Sequence, residues 1–314
     1  MKENLFDPKP KVKQKKRLNV LPENPEKKEG IGRFPSWLHR KLPKGGNLLK
    51  TEDAVRGSRL HTVCEEAKCP NRLQCWSQKT ATFLVLGKEC TRACGFCDID
   101  FSKTPNPPEE DEPIRIASSV KELGLRHVVI TMVARDDLID KGASHLAKII
   151  KEIRKEVPSA TIEVLTSDLS GDEQAIRTVL SEKPEIFNHN IETVRELTPR
   201  VRHKATYDRT LQVLSAAKGH CIVKSGLMVG LGETEEMVKQ TICDLKEAGC
   251  DIVTIGQYLQ ANHKKLLVKA FITPEEFKRY EDFGHSIGIK HMYCGPFVRS
   301  SFNAEEVLKK VREK

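Results

Sequence analysis

The chain has 314 residues, 38% hydrophobic and 31% charged, which describes a folded globular protein and excludes a disordered one. No run of 18 apolar residues occurs, so no membrane-spanning helix is expected. The net charge of +9 is concentrated at one end, where residues 1–20 hold seven Lys/Arg against two acids. That surplus reads as a solvated arm or an attraction for an acidic protein partner, and nucleic acid is not expected as a partner. The first residues, MKENLFDPKPKVKQKKR, lack the apolar stretch of a secretory signal. Glu3 and Asp7 also make them a poor mitochondrial presequence, so a cytoplasmic location is expected by default.

Residues 1–34 are rich in Pro and Lys and read as a flexible basic arm. Residues 35–79 carry few helix or strand signals and read as loops organised by their cysteines. TATFLVLG (80–87) is an apolar strand run, followed by a cysteine loop and a helix with Pro113 in its first turn and Ile116, Val120 and Leu123 on its apolar side. The alternation then repeats. Strands are expected at 127–134, 161–168, 185–192, 221–230 and 251–259. Helices are expected at 144–157, 173–182, 206–219, 234–249 (ending on Gly249) and 273–288. A final strand, IKHMYCGP, precedes the helical pattern SFNAEEVLKKVREK.

Six strand–helix units with strands apolar on both faces mark a parallel sheet in an α/β fold. Six are too few for a closed eightfold barrel, which leaves a partial (β/α)6 TIM-type barrel, with a doubly wound sheet as the alternative. The polar residues favour the barrel: Thr131, Asp168, Asn190, Glu192 and Gln257 fall late in or just after their strands, where chemistry sits in such folds.

Six of the ten cysteines fall between Cys64 and Cys97. Clustered thiols in a reducing compartment usually hold metal. Cys90-x3-Cys94-x2-Cys97 can wrap one face of a cubane iron–sulfur cluster and leave its fourth iron open. Zinc is the alternative, but structural zinc sites are closed with four ligands and favour paired C-x2-C knuckles. Cys64-x4-Cys69-x5-Cys75 suits neither zinc fingers nor ferredoxins.

The run CTRACGFC, with Phe96 as its aromatic, resembles the C-x3-C-x-aromatic-C motif of the radical S-adenosylmethionine (SAM) superfamily. GLMVGLGE (226–233) is similar to that superfamily's G-x-I-x-G-x-x-E pattern, with Met228 in the Ile place. From about residue 35 to 304 the chain resembles the lipoyl synthase family more specifically, through PSWLHRKLP, RLHTVCEEAKCPNRLQCW, VVIT…RDDL, FNHNIETV, KSGLMVGLGET, TIGQYLQ and GPFVRSSFNA.

The resemblance implies insertion of two sulfur atoms at C6 and C8 of an octanoyl chain carried on a lysine of a lipoyl carrier domain, in a 2-oxoacid dehydrogenase E2 or a glycine cleavage H protein. It implies two [4Fe-4S] clusters and two SAM per product. Cys90, Cys94 and Cys97 would hold the SAM cluster. Cys64, Cys69 and Cys75 would hold an auxiliary cluster that donates its sulfides, with Ser301 of Arg299-Ser300-Ser301-Phe302 as fourth ligand and Ser300 as fallback. A hard, releasable oxygen ligand suits a cluster that must be dismantled. Without the resemblance, Ser301 would read as a helix N-cap.

Phe96, Met228, Asn190 and Glu192 are expected at SAM, as are Thr131, Asp168, Lys224 and Gln257, each of which also fits a hydrogen-bonded barrel residue. A small redox donor such as ferredoxin or flavodoxin, and a cluster-assembly carrier, are implied partners. The expected organisation is an arm at 1–34, an auxiliary-cluster extension at 35–79, the barrel at 80–288 and a C-terminal extension at 289–314, with the extensions covering the open active-site face.

Three departures stand out. Phe302 replaces the usual Tyr, Ala134 takes an acidic place in V-D-R-D-D, and ANHKKLLVKA (261–270) replaces a run that typically reads P-x-x-H-H-L-P-V-x-R. An RNA methylthiotransferase would need a separate nucleic-acid module, which the sequence lacks, and biotin synthase lacks the N-terminal triplet with the terminal R-S-S.

Overall fold

The computed structural model describes residues 34–39, 57, 59–77, 82–302 and 304. The expected basic arm up to residue 33 and the C-terminal helix beyond Ala304 lie outside the described residues. All that is described belongs to one unit, Ile31–Lys314.

Six parallel strands form the body: β2 (Thr82–Val85), β5 (His127–Met132), β6 (Thr161–Leu165), β7 (Ile186–Asn188), β8 (Ile222–Val229) and β9 (Ile252–Gln257). Between them come α3 (Glu112–Leu123), α4 (Ala143–Glu156), α5 (Glu173–Ser181), the short α6 (Thr198–Val201), α7 (Tyr207–Ala217) and α8 (Glu235–Glu247), and α9 (Pro274–Ser286) follows β9. β10 (His291–Gly295) adds a seventh parallel strand beside β9, and the two-residue β1 (His61–Thr62) pairs antiparallel with β2. The eight strands lie in sequence order without reversal. A doubly wound sheet would reverse its order at a switch point, so the chain is wound one way, as in a barrel. β1 and β10 are not paired with each other, so the barrel is open.

The helices begin where their caps dictate. Thr206, Thr234 and Thr273 each accept a backbone N–H from three residues on, and Thr273 with Glu276 completes a capping box. Pro113 stands in the first turn of α3, and Gly249 follows α8 at φ +92, as expected. Apolar stripes such as Val238, Ile242 and Leu245 on α8 are fully buried against the sheet. Each such side chain contributes about 1.5–3 kcal/mol relative to exposure.

Two expectations need correction. The strands are shorter than the apolar runs, because pairing stops where the backbone turns to present polar groups. After Asn188, for example, regular pairing with β8 gives way to scattered backbone bonds, and the Ser225 hydroxyl fills in by donating to His189 O and accepting from Ile191 N. The second concerns the N-terminal extension. It is not all loop, since α1 (Val63–Glu66), capped by Thr62, and α2 (Arg72–Ser77) carry its cysteines. Both helices are too short to show a sequence period.

The barrel interior also holds charge. Lys224 Nζ lies 2.9 and 3.0 Å from the Glu163 carboxylate oxygens, and Asn188 donates to the same group at 2.7 Å. All three residues are completely buried. Burial alone would raise the Glu163 carboxyl, but the Lys224 charge, with His127 and Asn188, outweighs it and holds the group at about 2.

Candidate active site

The loop of Cys90, Cys94 and Cys97 is pinned at its base. β3 (Glu89–Cys90) pairs with β4 (Asp100–Phe101), and Ser102 N–H donates to Cys90 O at 3.0 Å. Inside the loop, Thr91 reaches the barrel by two bonds to Ala134 O, from its N–H and its hydroxyl. Arg92, nearly buried, makes a two-pronged contact to Asp136 (2.9 and 2.7 Å) and a third to Asp168 (2.7 Å). The RDDL segment after β5 thus anchors the loop, and the departure at Ala134 costs it nothing, because the backbone oxygen does the holding.

The other triplet comes from the N-terminal extension, which packs beside β2. Cys64 lies on α1 and Cys75 on α2, with Cys69 N–H donating to Cys64 O at 3.1 Å between them. A third segment completes the enclosure. Asn71 Nδ2 donates to Phe297 O at 2.7 Å, tying the N-terminal cysteines to the residues leading into Arg299-Ser300-Ser301. That segment lies directly on the strand ends. A Cβ at Gly256 would fall 2.1 Å from Val298 O, and one at Gly226 would fall 3.1 Å from Ser300 Oγ. Only glycine leaves room there.

All six cysteines, Ser300 and Ser301 line one cavity of about 530 Å³. Phe96, Thr131, Asn190, Glu192 and Met228 line it as well, so the geometry gathers most of the expected residues. Phe96 packs in a satellite cluster with Tyr258, Met228 and Leu266. Asn190 links the barrel to the C-terminal segment. Its Nδ2 donates to Glu192 at 3.1 Å and its Oδ1 accepts the Ser300 hydroxyl at 2.8 Å. Ser301, by contrast, makes no hydrogen bond among the described residues.

Two expected residues do not reach the cavity, and a third reaches it already paired. Lys224 does not line the cavity, since its amine is spent on Glu163 inside the barrel. Gln257 does not line it either. Its amide donates to the carbonyls of Val229, Tyr258 and Ala270 and accepts from Ile272 N–H, securing the segment after β9. Asp168 lines the cavity, but its carboxylate is occupied by Arg92, Arg209 and Ser170 N–H, so it orients the loop arginine instead of presenting a free acceptor. In each case the sequence locates the strand but not which way the polar group is drawn.

Burial dominates the electrostatics. It pushes the Cys97 thiol up to about 12 and Cys64 up to about 11, and it raises Cys94, with neighbouring thiols adding to the effect. Thiols raised in this way stay protonated by themselves, and as thiolates they would need a concentrated positive charge beside them, of the kind a metal cluster would supply. Burial would also raise Asp168, but the hydrogen bond and charge of Arg92 hold it at about 2. Glu192 is raised by burial, with Arg202 opposing, and sits at φ +67, a strained conformation for a glutamate.

Arg202 is the residue that sequence reasoning missed. It is buried, lines the cavity, donates to Asn190 O at 2.6 Å, and places its charge near Cys94 and Glu192. No motif marks it. Its only signal is a basic residue in the short stretch after the fourth barrel strand.

A family model described as the radical SAM superfamily matches residues 84–245, and one described as the N-terminal domain of lipoyl synthase of the radical SAM family matches residues 7–69. The chain is 64% identical to a lipoyl synthase of Protochlamydia amoebophila (strain UWE25), covering 95% of each protein. It is 53% identical to a lipoyl synthase of Chlamydia trachomatis serovar L2, covering 93% of this chain and 95% of that one. Among solved structures it is similar to methylornithine synthase, with TM-score 0.52 and 13% identity over 73% of this chain and 80% of that one. It is also similar to SuiB of Streptococcus suis bound to S-adenosylmethionine, with TM-score 0.54 and 12% identity over 67% and 49%. At such identities these two speak for the fold alone, an open parallel barrel.

Proposed function

Because the chain belongs to the lipoyl synthase family of radical SAM enzymes, we propose that it inserts sulfur at both C6 and C8 of an octanoyl chain carried on a lysine of a lipoyl carrier domain. The observation that carries this reading is the single cavity shared by two cysteine triplets and the Ser300-Ser301 pair, drawn from three distant parts of the chain. Cys90, Cys94 and Cys97 would hold a [4Fe-4S] cluster open to SAM. Cys64, Cys69 and Cys75, with Ser301, would hold the auxiliary cluster. The residues fit these groups: two triplets of soft thiol donors face one cavity, and Ser301 alone of the serine pair has its hydroxyl uncommitted. When bound, one cluster supplies the electron that cleaves SAM to a hydrogen-abstracting radical, and the other supplies the two sulfides as a consumed substrate.

The chain's own residues do the positioning. Asn190, Glu192, Phe96, Met228 and Thr131 border the cavity and would contact SAM there. Arg202 lines the same cavity with a buried positive charge beside Cys94 and Glu192, a charge that would suit an anionic group of SAM. Arg92, held by Asp136 and Asp168, keeps the SAM-cluster loop from shifting. A ferredoxin or flavodoxin as electron donor and a cluster-assembly carrier to rebuild the consumed cluster complete the proposed cycle, with a dehydrogenase E2 or glycine cleavage H protein as the octanoylated substrate. Among the described residues no helix is long and apolar enough to cross a membrane.

The test is anaerobic incubation of the iron- and sulfide-reconstituted protein with SAM, reductant and an octanoyl-lysyl carrier peptide. Mass spectrometry should find lipoyl peptide with about two 5′-deoxyadenosine per product, from a protein holding about eight iron. Formation of 5′-deoxyadenosine with the octanoyl mass unchanged would overturn the reading.

A further inference from the structure

Lys68 immediately precedes Cys69, and Asp98 immediately follows Cys97. These two residues form an ion pair across the cavity mouth, Nζ to Oδ2 at 2.7 Å. The Asp98 side chain is only 7% exposed, and its other oxygen accepts the Asn262 amide. Asn262 is itself oriented, because its Oδ1 accepts Lys264 N–H at 2.8 Å, which turns the NH2 toward Asp98. A few residues on, Leu266 N–H donates to Gly95 O at 3.0 Å. One carboxylate therefore joins the auxiliary-cysteine loop, the SAM-cysteine loop and the segment 261–270 in which this chain departs from its family's pattern.

Stability does not explain the pair. The Lys68 side chain is 60% exposed, so the pair adds little to folding of the barrel, but the Asp98 carboxylate it meets is 7% exposed and held on both oxygens, which orders the loops locally. The backbone does not call for lysine either. Lys68 has φ +49, where glycine would be relaxed and lysine is strained. What lysine supplies there is an amine in reach of Asp98.

We propose that Asp98 is a positioning residue which, through Lys68 and Asn262, fixes the two cysteine loops relative to each other and so sets how far the sulfur donor stands from the carbon being activated. The proposal rests on the two-cluster reading above. A loose bridge would leave SAM cleavage running while sulfur transfer misses its target carbon, so SAM would be consumed without product.

Two variants test it, Lys68→Gly, which relaxes the turn while removing the amine, and Asp98→Asn, with Asp98→Glu as the conservative control. In the protein before cluster loading, amide hydrogen exchange at residues 64–69 and 262–266 should quicken in both variants and not in Asp98→Glu. In the loaded enzyme the ratio of 5′-deoxyadenosine to lipoyl product should rise by up to about a hundredfold, the cost of misplacing reacting groups by about 1 Å, and Asp98→Glu should restore most of it. Wild-type exchange rates and an unchanged ratio in Lys68→Gly would overturn the proposal even if Asp98→Asn failed to fold. Should the unaltered protein make 5′-deoxyadenosine but no lipoyl product, the two-cluster reading falls instead, and exchange in the unloaded protein still decides whether Asp98 ties the loops.

Discussion

The serine pair shows how much one hydrogen bond can decide. Ser300 and Ser301 are neighbours of the same chemistry, yet Ser300 is spent on Asn190 while Ser301 keeps its hydroxyl for the cavity. Ser301→Ala should therefore leave SAM cleavage intact and reduce lipoyl formation at least tenfold, read by mass spectrometry. Ser300→Ala should cost the one hydrogen bond, about 1 kcal/mol, and weaken SAM binding modestly instead. Reversed effects of the two variants would reassign the ligand. The buried Lys224–Glu163 pair makes a different kind of prediction. Glu163→Gln leaves a charged lysine in a dry interior and should destabilise the fold by about 3–5 kcal/mol at pH 7 by denaturant titration. Because the native carboxyl lies at about 2 against an ordinary 4.5, the pair's stabilisation is complete above 4.5 and fades as pH falls toward 2. The gap between wild type and variant should narrow over that window.

Elements position the site through close approach as much as through contacts. The C-terminal segment can cross the barrel mouth only because β9 presents Gly256, where a Cβ would stand 2.1 Å from Val298 O. Both partners are backbone, so neither can swing aside. Gly256→Ala should lift Ser301 from the cavity, and iron after reconstitution should fall from about eight to about four per chain with SAM cleavage retained. Iron content equal to the wild type's would show that the segment can give way. The capping box of α9 is a more ordinary device. Thr273→Ala should cost about 1 kcal/mol of stability with no change in cluster content.

At the scale of the molecule, the open barrel and the cysteine loops are separable. The core is built from β2, β5–β9 and the apolar faces of their helices, whereas the six cysteines of the two triplets lie in loops, short helices and the two-residue β3 beside the cavity. Removing iron should therefore leave far-UV circular dichroism and the exchange protection of β5–β9 nearly unchanged. Protection should fall at 64–77 and 297–302. Loss of protection throughout the barrel would mean that the clusters hold up the core.

The strand–helix alternation, the helix starts at Thr206, Thr234 and Thr273, and both cysteine triplets were legible in the sequence. Each rests on local chemistry: apolar runs, capping side chains and the spacing of thiols along a short loop. The sequence could not say that Lys224 turns inward to Glu163, that Gln257 is consumed by three carbonyls, or that Asp168 serves Arg92. The Lys224 and Asp168 partners lie more than sixty residues away and only the winding of the sheet brings them near, while those of Gln257 depend on how the segment after β9 folds back. Arg202 escaped for the same reason, since its importance lies in what surrounds it. Local sequence fixes which groups are available, and the tertiary fold decides which stay free, because a buried polar side chain bonds to the first good partner the packing puts within reach.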